Sequence, residues 1–179
     1  CKSIGSEIAK MHELTKNLKL KRQNDLSINS WRKLFNSVKD KCEKIHKDLP
    51  RLIEENLNDV EKNWPKNLPR GIIHADLFHD NIFFIQDKFS GVIDFYFSCT
   101  DILTYDLAIA VNAWCFDKKH NFQDKKYQAL LKGYNSKRKL SKDEEFFLPL
   151  LCQAASLRFL LTRLFDWVNT CLLYTSDAA

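Results

Sequence analysis

At residues 74–81 the sequence reads His74-Ala75-Asp76-Leu77-Phe78-His79-Asp80-Asn81. The run before it, Gly71-Ile72-Ile73, is short, apolar and β-branched, which predicts a strand that enters a polar loop. Two further strand-like runs follow at 81–85 and 91–95, and the polar residues 86–90 between them have the length of a hairpin connection. A strand, a polar loop and a β-hairpin therefore form the centre of the predicted fold.

The polar loop fits the pattern H-x-D-x-x-x-x-N, and Asp94 ends an apolar strand thirteen residues after Asn81. Transfer of a phosphoryl group from ATP needs a carboxylate that orients the attacking hydroxyl and accepts its proton. It also needs an amide and a second carboxylate that hold Mg²⁺ on the phosphates. In that scheme Asp76 is the base, and Asn81 and Asp94 are metal ligands that the hairpin brings together. The alternative is structural: Asp76 and Asp80 cap or turn the loop, Asn81 satisfies backbone groups, and Asp94 is a strand-end carboxylate.

Helical patterns flank this centre on both sides. Before it, apolar residues at helical spacing predict three helices of one small bundle, the third starting at Pro50. After it, Asp101 is a candidate N-cap for a buried helix, and residues 122–134 predict another. Ser141 and Glu144 form a capping box that opens a last, long helix. The predicted fold class is α+β and mainly α, with a short β-hairpin.

Composition and charge limit the class of partner. The 179 residues include 28 Lys and Arg against 23 Asp and Glu, a net charge of +5, which suits an anionic ligand without resembling a dedicated nucleic-acid binder. The Lys-rich stretches interleave with acidic and amide residues, so we expect solvated surfaces and no nucleic-acid partner. The six cysteines show neither a C-x-x-C pair nor zinc spacing, which predicts reduced thiols. His12, His46 and His120 have polar neighbours and no metal-ligand spacing, which predicts surface or capping roles.

The longest apolar stretch runs from Phe146 to Val168. Polar and charged residues interrupt it at Gln153, Arg158, Arg163 and Asp166. This pattern predicts a buried helix rather than a membrane span, and the first residues do not have the pattern of a secretory signal. We therefore expect no membrane partner and a reducing, cytoplasmic location.

Several segments together resemble the aminoglycoside phosphotransferase and choline kinase-like superfamily, whose catalytic core is similar to that of protein kinases. Within it, the sequence looks closest to the bacterial homoserine kinases. The segments that carry the resemblance are His74-Ala75-Asp76-Leu77-Phe78, Ile93-Asp94-Phe95-Tyr96-Phe97, Tyr105-Asp106-Leu107-Ala108, Asn112-Ala113-Trp114-Cys115-Phe116, Leu157-Arg158-Phe159 and Asp166-Trp167. The resemblance spans about residues 1–170. It implies the helical C-terminal lobe of a protein-kinase-like fold, with the hairpin at the active site.

The resemblance implies an ATP- and Mg²⁺-dependent kinase. Its reaction would transfer the γ-phosphate to the side-chain hydroxyl of L-homoserine, giving O-phosphohomoserine for threonine biosynthesis. By residue match, Asp76 is the catalytic base, His74 organises the loop, and Asn81 and Asp94 bind the metal and through it the cofactor. Asp106 supports the loop from the next helix, unless it only answers the helix dipole as a first-turn carboxylate.

The sequence departs from that family in three places. Kinases of this fold cover ATP with a Gly-rich hairpin and contact its phosphates with a strand lysine, but residues 1–70 contain a single glycine, Gly5, and read as helix. We therefore expect the N-terminal nucleotide lobe to be missing from this chain and the chain alone to be inactive. His79 stands where relatives often carry proline, and residues 171–179 look like an unrelated or non-native tail.

The acceptor pocket is the part of the site that the sequence specifies least. Homoserine carries a carboxylate and an ammonium group, so its pocket needs a cation, an acid and an apolar wall. The candidates are Asp101, Asn112, Trp114, Arg158, Arg163 and Asp166. Arg163 and Asp166 are three residues apart and can instead pair along a helix, and Trp114 at helical spacing can be core.

Two other functions stay open. A kinase for another small hydroxyl acceptor, such as choline or an aminoglycoside, would keep Asp76, Asn81 and Asp94 and change only the pocket. Choline needs an aromatic and acidic cage, whereas an aminoglycoside needs many carboxylates. A catalytically inactive fragment, in contrast, would act only as a binding module.

Overall fold

The computed structural model describes the backbone of residues 1–175 and the side chains of residues 1–169. Within that range the α-helices are α1 (Lys2–Thr15), α2 (Ile28–Ile45), α3 (Leu49–Asn63), α4 (Leu103–Trp114), α5 (Asp124–Asn135) and α6 (Lys142–Thr175). The strands are β1 (Arg70–Ile73), β2 (Ile82–Ile85), β3 (Lys88–Val92) and β4 (Cys99–Ile102), and a 3-10 helix covers Phe95–Phe97. The predicted fold class, α+β and mainly α with a β-hairpin, is confirmed. The tail predicted at 171–179 falls partly on the end of α6, and residues 176–179 lie outside the described residues.

One compact unit consists of residues 1–24 and 65–152. Its frame is the crossing of α1 and α5, where the two backbones touch because each helix carries a glycine. A Cβ added at Gly5 would lie 2.0 Å from the carbonyl oxygen of Leu130, and one added at Gly133 would lie 1.9 Å from that of Lys2. Helix α4 packs against both helices and is buried at every residue of its first nine, 103–111. Three helices therefore support the strands and the loop of this unit.

The second compact unit consists of residues 25–64 and the part of α6 that follows Cys152. Helices α2 and α3 pack through apolar stripes, which are Trp31, Phe35, Val38 and Cys42 on α2 and Ile53, Leu57 and Val60 on α3. On their surface, Arg32 forms ion pairs with Glu54 and Glu61. The prediction that the first three helices form one bundle is wrong, because α1 belongs to the first unit, where its glycine fits against α5.

Two antiparallel strand pairs flank the polar loop. Strand β1 pairs with β4, which places Gly71 opposite Asp101. Strand β2 pairs with β3, which places Ile82 opposite Val92. Strand β1 leads into the polar loop, and β4 follows the hairpin. The β1–β4 pair therefore brings together the two ends of residues 74–98, the segment that contains the loop and the hairpin.

The hairpin turn is tighter than the sequence predicted. Only Gln86 and Asp87 connect β2 to β3, and their φ angles are 48° and 61°. Two successive left-handed residues match the twist of the adjoining strands, as in the type I′ turns that are common in two-residue hairpins. The predicted connection over 86–90 was too long because residues 88–90 form the beginning of strand β3.

Asp101 was predicted to cap a helix, and this prediction is wrong. The residue lies in β4 and pairs with β1, and α4 begins after it with Ile102 in the N-cap position and no side-chain capping bond. The carboxylate of Asp101 instead accepts a hydrogen bond from Asn24 Nδ2 at 2.6 Å and pairs with Arg70 Nη2 at 2.9 Å. Asp101 thereby ties three segments of the first unit together.

Helix α6 begins with the predicted capping box. The Ser141 N–H donates to Glu144 Oε2 at 3.0 Å, and the Glu144 N–H donates to Ser141 Oγ at 3.2 Å. Within α6, residues Lys142–Asn169 are long and apolar enough to cross a membrane by length and composition, a property that core helices of soluble proteins share. The absence of a membrane partner stays a prediction.

The buried thiols behave as small apolar side chains. Among the cysteines with described side chains, Cys1, Cys42, Cys115 and Cys152 take part in no disulfide. Burial raises the pKa of Cys115 to about 11 and that of Cys152 to about 12. Both thiols therefore stay protonated at neutral pH, in agreement with the predicted reduced state.

Candidate active site

The polar loop starts where β1 ends and is fixed at its start and near its middle. Ser98, just before β4, donates from Oγ to the carbonyl oxygen of Ile73 at 2.7 Å. Leu77 inside the loop accepts a hydrogen bond at its carbonyl oxygen from Trp114 Nε1 at 3.0 Å. The loop is therefore attached to the β1–β4 pair and to the end of α4.

Asp106 of α4 holds the first turn of the loop. Its side chain is fully buried, and its two oxygens accept the backbone N–H of His74 at 2.8 Å and of Ala75 at 2.7 Å. Ala75 has a φ of 66°, a left-handed conformation that costs a non-glycine residue about 1–3 kcal/mol unless its surroundings impose it. The bidentate contact of Asp106 supplies that constraint, which gives Asp106 the loop-supporting position that the resemblance implies.

His74 joins the loop to the strand end that precedes Asp94. Its Nδ1 accepts the N–H of Asp76 at 3.2 Å, and its Nε2 lies 2.9 Å from the carbonyl oxygen of Ile93. One partner is a donor and the other an acceptor, so the ring carries its hydrogen on Nε2. The ring also makes an edge contact with Phe95, with centroids 4.7 Å apart. His74 thus fixes Asp76 relative to residue 93, which is the neighbour of Asp94.

Asp76 and Asn81 contact each other directly. The Nδ2 of Asn81 donates to the carbonyl oxygen of Asp76 at 2.9 Å and to its carboxylate Oδ2 at 3.0 Å. Both partners are acceptors, so the amide nitrogen faces them, and Oδ1 of Asn81 lies on the opposite side of the Cβ–Cγ bond. The Asn81 side chain is buried, whereas Asp76 is half-buried. The predicted base and the predicted amide ligand therefore form one constellation.

Asp94 follows a residue whose backbone pairs with Asn81. The N–H of Ile93 donates to the carbonyl oxygen of Asn81 at 3.0 Å. Asp94 itself has left-handed backbone angles, φ 60° and ψ 65°, and its Oδ1 accepts the N–H of Tyr96 at 3.3 Å. Its side chain is exposed and presents the carboxylate at the surface of the unit. The prediction that Asp94 ends a strand over 91–95 is wrong, because β3 ends at Val92 and Asp94 has left-handed backbone angles.

The oxygen donors of these residues fit a hard divalent cation. An amide oxygen from Asn81 and a carboxylate from Asp94 are the ligand types that Mg²⁺ takes, usually as one or two protein ligands with water and substrate phosphates completing the octahedron. In the part of the chain with described side chains, no group of three His, Cys, Asp or Glu residues could hold a metal ion. A metal held here would therefore depend on Asn81 as well as on carboxylates, as the sequence pattern predicts.

The amino-acid sequence matches the phosphotransferase enzyme family over residues 1–140. The chain belongs to this family. Among its relatives, homoserine kinase from Brucella anthropi is 47% identical over 169 residues, which are 94% of this chain and 52% of that protein. The phosphotransferase chain thus spans about half the length of the curated relatives it matches. The resemblance drawn from its sequence is confirmed.

Two solved kinase structures share the fold of this phosphotransferase-family chain. An amicoumacin kinase in complex with AMP-PNP and Ca²⁺ matches with a TM-score of 0.66 at 20% identity, over 90% of this chain and 49% of that chain. Choline kinase from Cryptosporidium parvum matches with a TM-score of 0.64 at 15% identity, over 93% of this chain and 59% of that chain. At such identities the likeness shows the fold, and it confirms the predicted protein-kinase-like architecture.

The predicted acceptor residues of this family member divide between the two units. In the first unit, Asp101 binds Asn24 and Arg70, and Asn112 donates from Nδ2 to the carbonyl oxygen of Cys152 at 2.7 Å. In the second unit, the buried Arg158 and the exposed Arg163 both lie near the ring of Phe159, at 4.1 Å and 5.7 Å. Their roles in an acceptor pocket stay predictions.

Sequence reasoning missed two side chains that support the loop. His12, expected at the surface, is buried, with Nδ1 2.9 Å from Tyr134 Oη and Nε2 3.3 Å from Asp106 Oδ2. Its spacing from Ile4 and Ile8 in α1 already places it on the apolar face, which was the available signal. Trp114, expected in the core, is half-buried, and it stacks on His79 of the loop with ring centroids 4.0 Å apart.

Proposed function

We propose that this chain provides the catalytic loop and acceptor side of an ATP- and Mg²⁺-dependent kinase that phosphorylates the side-chain hydroxyl of L-homoserine. The observation that carries the proposal is the 3.0 Å hydrogen bond from Asn81 Nδ2 to the Asp76 carboxylate. The backbone of Asn81 also pairs with Ile93, the residue before Asp94. The acceptor is inferred from the 47% identity to homoserine kinase from Brucella anthropi. The product is then O-phosphohomoserine, an intermediate of threonine biosynthesis.

Asp76 is the proposed base of this reaction. A carboxylate beside the acceptor hydroxyl orients its oxygen toward the γ-phosphorus of ATP. It accepts the hydroxyl proton as the new P–O bond forms and the bond between the γ-phosphorus and the leaving ADP oxygen breaks. The hydrogen bond from Asn81 Nδ2 occupies one side of Oδ2, and the bond from the Asp76 N–H to His74 fixes the backbone at that residue. These two contacts restrict the carboxylate to few orientations, which favours a reactive geometry.

Asn81 and Asp94 are the proposed holders of Mg²⁺ and, through it, of the ATP phosphates. When bound, the ion neutralises the negative charge that the phosphate oxygens carry during transfer. The hydrogen bonds of Asn81 Nδ2 keep Oδ1 directed away from Asp76, and the left-handed backbone of Asp94, two residues after the end of β3, leaves its carboxylate exposed. His74 positions both sides of the site because it touches the backbone of Asp76 and of Ile93.

The test is an ADP-release assay on the full-length enzyme, by which we mean the longer polypeptide proposed to contain this chain. With L-homoserine and Mg²⁺, we expect Asp76→Asn and Asp94→Asn each to lower kcat by at least about 100-fold, the loss usual for a base or an electrostatic group. The matched control is Asp87→Asn, which removes a charge from the hairpin turn and should leave kcat unchanged. Full turnover in either site variant would contradict the assignment.

A panel of hydroxyl acceptors decides between homoserine and the other acceptors. We expect L-homoserine to give the highest kcat/KM, with choline and aminoglycosides near the background of ADP release. Preference for either of these would keep the proposed chemistry of Asp76, Asn81 and Asp94 but overturn the proposed substrate. An absence of turnover with every acceptor would favour a binding module.

The remaining features of the proposal concern the setting of the reaction. Residues 1–170 are proposed to act as one C-terminal lobe, with a nucleotide lobe from the longer polypeptide completing the ATP site. The location proposed is the cytoplasm, with no nucleic-acid or membrane partner, in keeping with the modest net charge of +5.

A further inference from the structure

A buried chain of polar side chains leads from the surface of the first unit to Asp106. Arg138 Nη1 donates to Tyr134 Oη at 3.0 Å, and Tyr134 Oη lies 2.9 Å from His12 Nδ1. His12 Nε2 in turn lies 3.3 Å from Asp106 Oδ2. Asp106, His12 and Tyr134 are each at most 1% exposed. These hydrogen-bonded side chains therefore lie in the interior, where an unsatisfied polar group is costly.

The direction of each hydrogen bond follows from its partners. Arg138 can only donate, so the hydroxyl of Tyr134 accepts from it and keeps its own hydrogen available for His12 Nδ1. Both oxygens of Asp106 already accept backbone N–H groups, so the carboxylate is an acceptor and His12 Nε2 carries the hydrogen that it donates to Oδ2. Burial raises the pKa of Tyr134, so the phenol keeps the hydrogen that this arrangement requires.

Arg138, at the outer end of this series of hydrogen bonds, is fixed by a second set of contacts. Arg138 Nη1 pairs with Glu144 Oε1 at 2.8 Å, and Glu144 Oε1 also accepts the hydroxyl hydrogen of Thr104 at 2.7 Å. Thr104 lies in α4, two residues before Asp106. The contacts thus close a ring that joins α1, α4, α5 and the start of α6 around one carboxylate.

We propose that His12 is a positioning residue of the catalytic loop. By donating to Oδ2 it holds the Asp106 carboxylate in the rotamer in which both oxygens accept the N–H groups of His74 and Ala75, and so it fixes the direction of Asp76. This inference rests on the proposed function, because it assigns His12 an effect on phosphoryl transfer. His12 lies outside the hydrogen bonds of Asp76, Asn81 and Asp94, so it acts only through Asp106.

We expect the loss of the His12 side chain to lower kcat and to leave KM nearly unchanged. His12 touches neither the proposed base nor the proposed metal ligands, so its removal leaves the binding groups in place and changes only the orientation of Asp76. In the full-length enzyme we expect His12→Phe to lower kcat by about 10- to 100-fold, the cost of misplacing a catalytic group by a fraction of an ångström to an ångström. KM for homoserine and for ATP should stay within about twofold.

Conservative variants separate positioning from mere packing. An amide offers a donor and an acceptor at nearly the spacing of the two ring nitrogens, so His12→Gln should restore most of the kcat that His12→Phe loses. Tyr134→Phe removes only the hydroxyl that fixes the ring, and we expect a smaller loss. Because both residues act through Asp106, the double variant His12→Phe with Tyr134→Phe should lose no more kcat than His12→Phe alone.

The control for lost stability is Leu151→Ala, a fully buried change in α6 outside the ring of hydrogen bonds. It should lower the melting temperature at least as much as His12→Phe and leave kcat unchanged. The proposal is overturned if His12→Phe keeps its kcat, if His12→Gln is no better than His12→Phe, or if Leu151→Ala loses as much kcat at an equal loss of melting temperature.

The rate of hydrogen exchange at the Ala75 amide tests the role of His12 without measuring activity, so it is independent of the proposed function. We expect the Ala75 amide to exchange at least about tenfold faster in His12→Phe than in Leu151→Ala, because only the first variant loosens Asp106. If the unaltered enzyme phosphorylates nothing, the proposed function fails, and this exchange ratio still decides the positioning claim. Equal exchange in the two variants overturns it.

Discussion

Glu144 is the residue at which stability and pH are most directly linked. Burial by itself raises the pKa of its carboxyl group, but hydrogen bonds from Arg138, the Ser141 N–H and Thr104 outweigh burial, so the pKa lies below its ordinary value of 4.5. A carboxylate with a lowered folded-state pKa stabilises the fold above the unfolded-state pKa. That contribution disappears as the pH falls from 4.5 through the folded-state pKa.

We therefore predict a pH-dependent effect of Glu144→Gln. The variant should have a lower free energy of unfolding than the unaltered chain at about pH 7, and the difference should shrink as the pH falls below about 4.5. Urea unfolding over that pH range measures it. Glu145→Gln, an exposed change one residue away, serves as the control, and a difference that grows toward acid pH would contradict the prediction.

Residues that act over short sequence distances were predictable, and those that act over long ones were not. Asp76 and Asn81 are five positions apart and meet within one loop, so their pattern contains their contact. His12 meets Asp106 and Tyr134 across 94 and 122 positions. No local pattern records such a pairing, although helical spacing placed His12 on the inner face of α1.

At the scale of elements, the crossing of α1 and α5 depends on the lack of two side chains. We predict that Gly133→Ala lowers the free energy of unfolding by about 3 kcal/mol or more, because the added methyl group meets backbone and not a side chain that can move aside. Gly91→Ala in strand β3 is the matched control, since a Cβ there has nothing within 4 Å. Denaturant unfolding of both variants tests this, and equal stabilities would show that the helices can separate without cost.

The helices followed from the sequence, whereas strand β4 did not. Helices α2 and α3 show their apolar stripes in their spacing, so a local pattern is enough. Strand β4 has four residues, Cys-Thr-Asp-Ile, and exists because it pairs with β1. Its partner β1 is almost thirty residues earlier in the chain. Asp101 in β4 is a residue type that is common at helix N-caps, so the local sequence favoured a helix start there. Pairing at a distance therefore overrode the local signal.

At the scale of the whole molecule, the described helices and strands include the polar loop and the side chains that support it. Residues 1–70 contain only Gly5, and that glycine serves the α1–α5 crossing rather than a phosphate loop. The chain spans 52% of the length of its Brucella anthropi relative. The absence of a nucleotide lobe from this chain stays a prediction.

We predict that the 179-residue chain by itself has negligible kinase activity, whereas the full-length enzyme is active. Residues 1–73 contain neither a Gly-rich hairpin nor a strand lysine. Kinases of this fold use both to contact the ATP phosphates, so we expect Asn81 and Asp94 to hold the nucleotide poorly on their own. ADP release with L-homoserine, ATP and Mg²⁺ measures both proteins at equal concentration, and circular dichroism shows whether the shorter one is folded. Turnover of the folded 179-residue chain at rates of about 1–100 s⁻¹, as in ordinary kinases, would contradict the prediction. Such a result would mean that this loop, with Asp76, Asn81 and Asp94, binds ATP productively without the missing contacts.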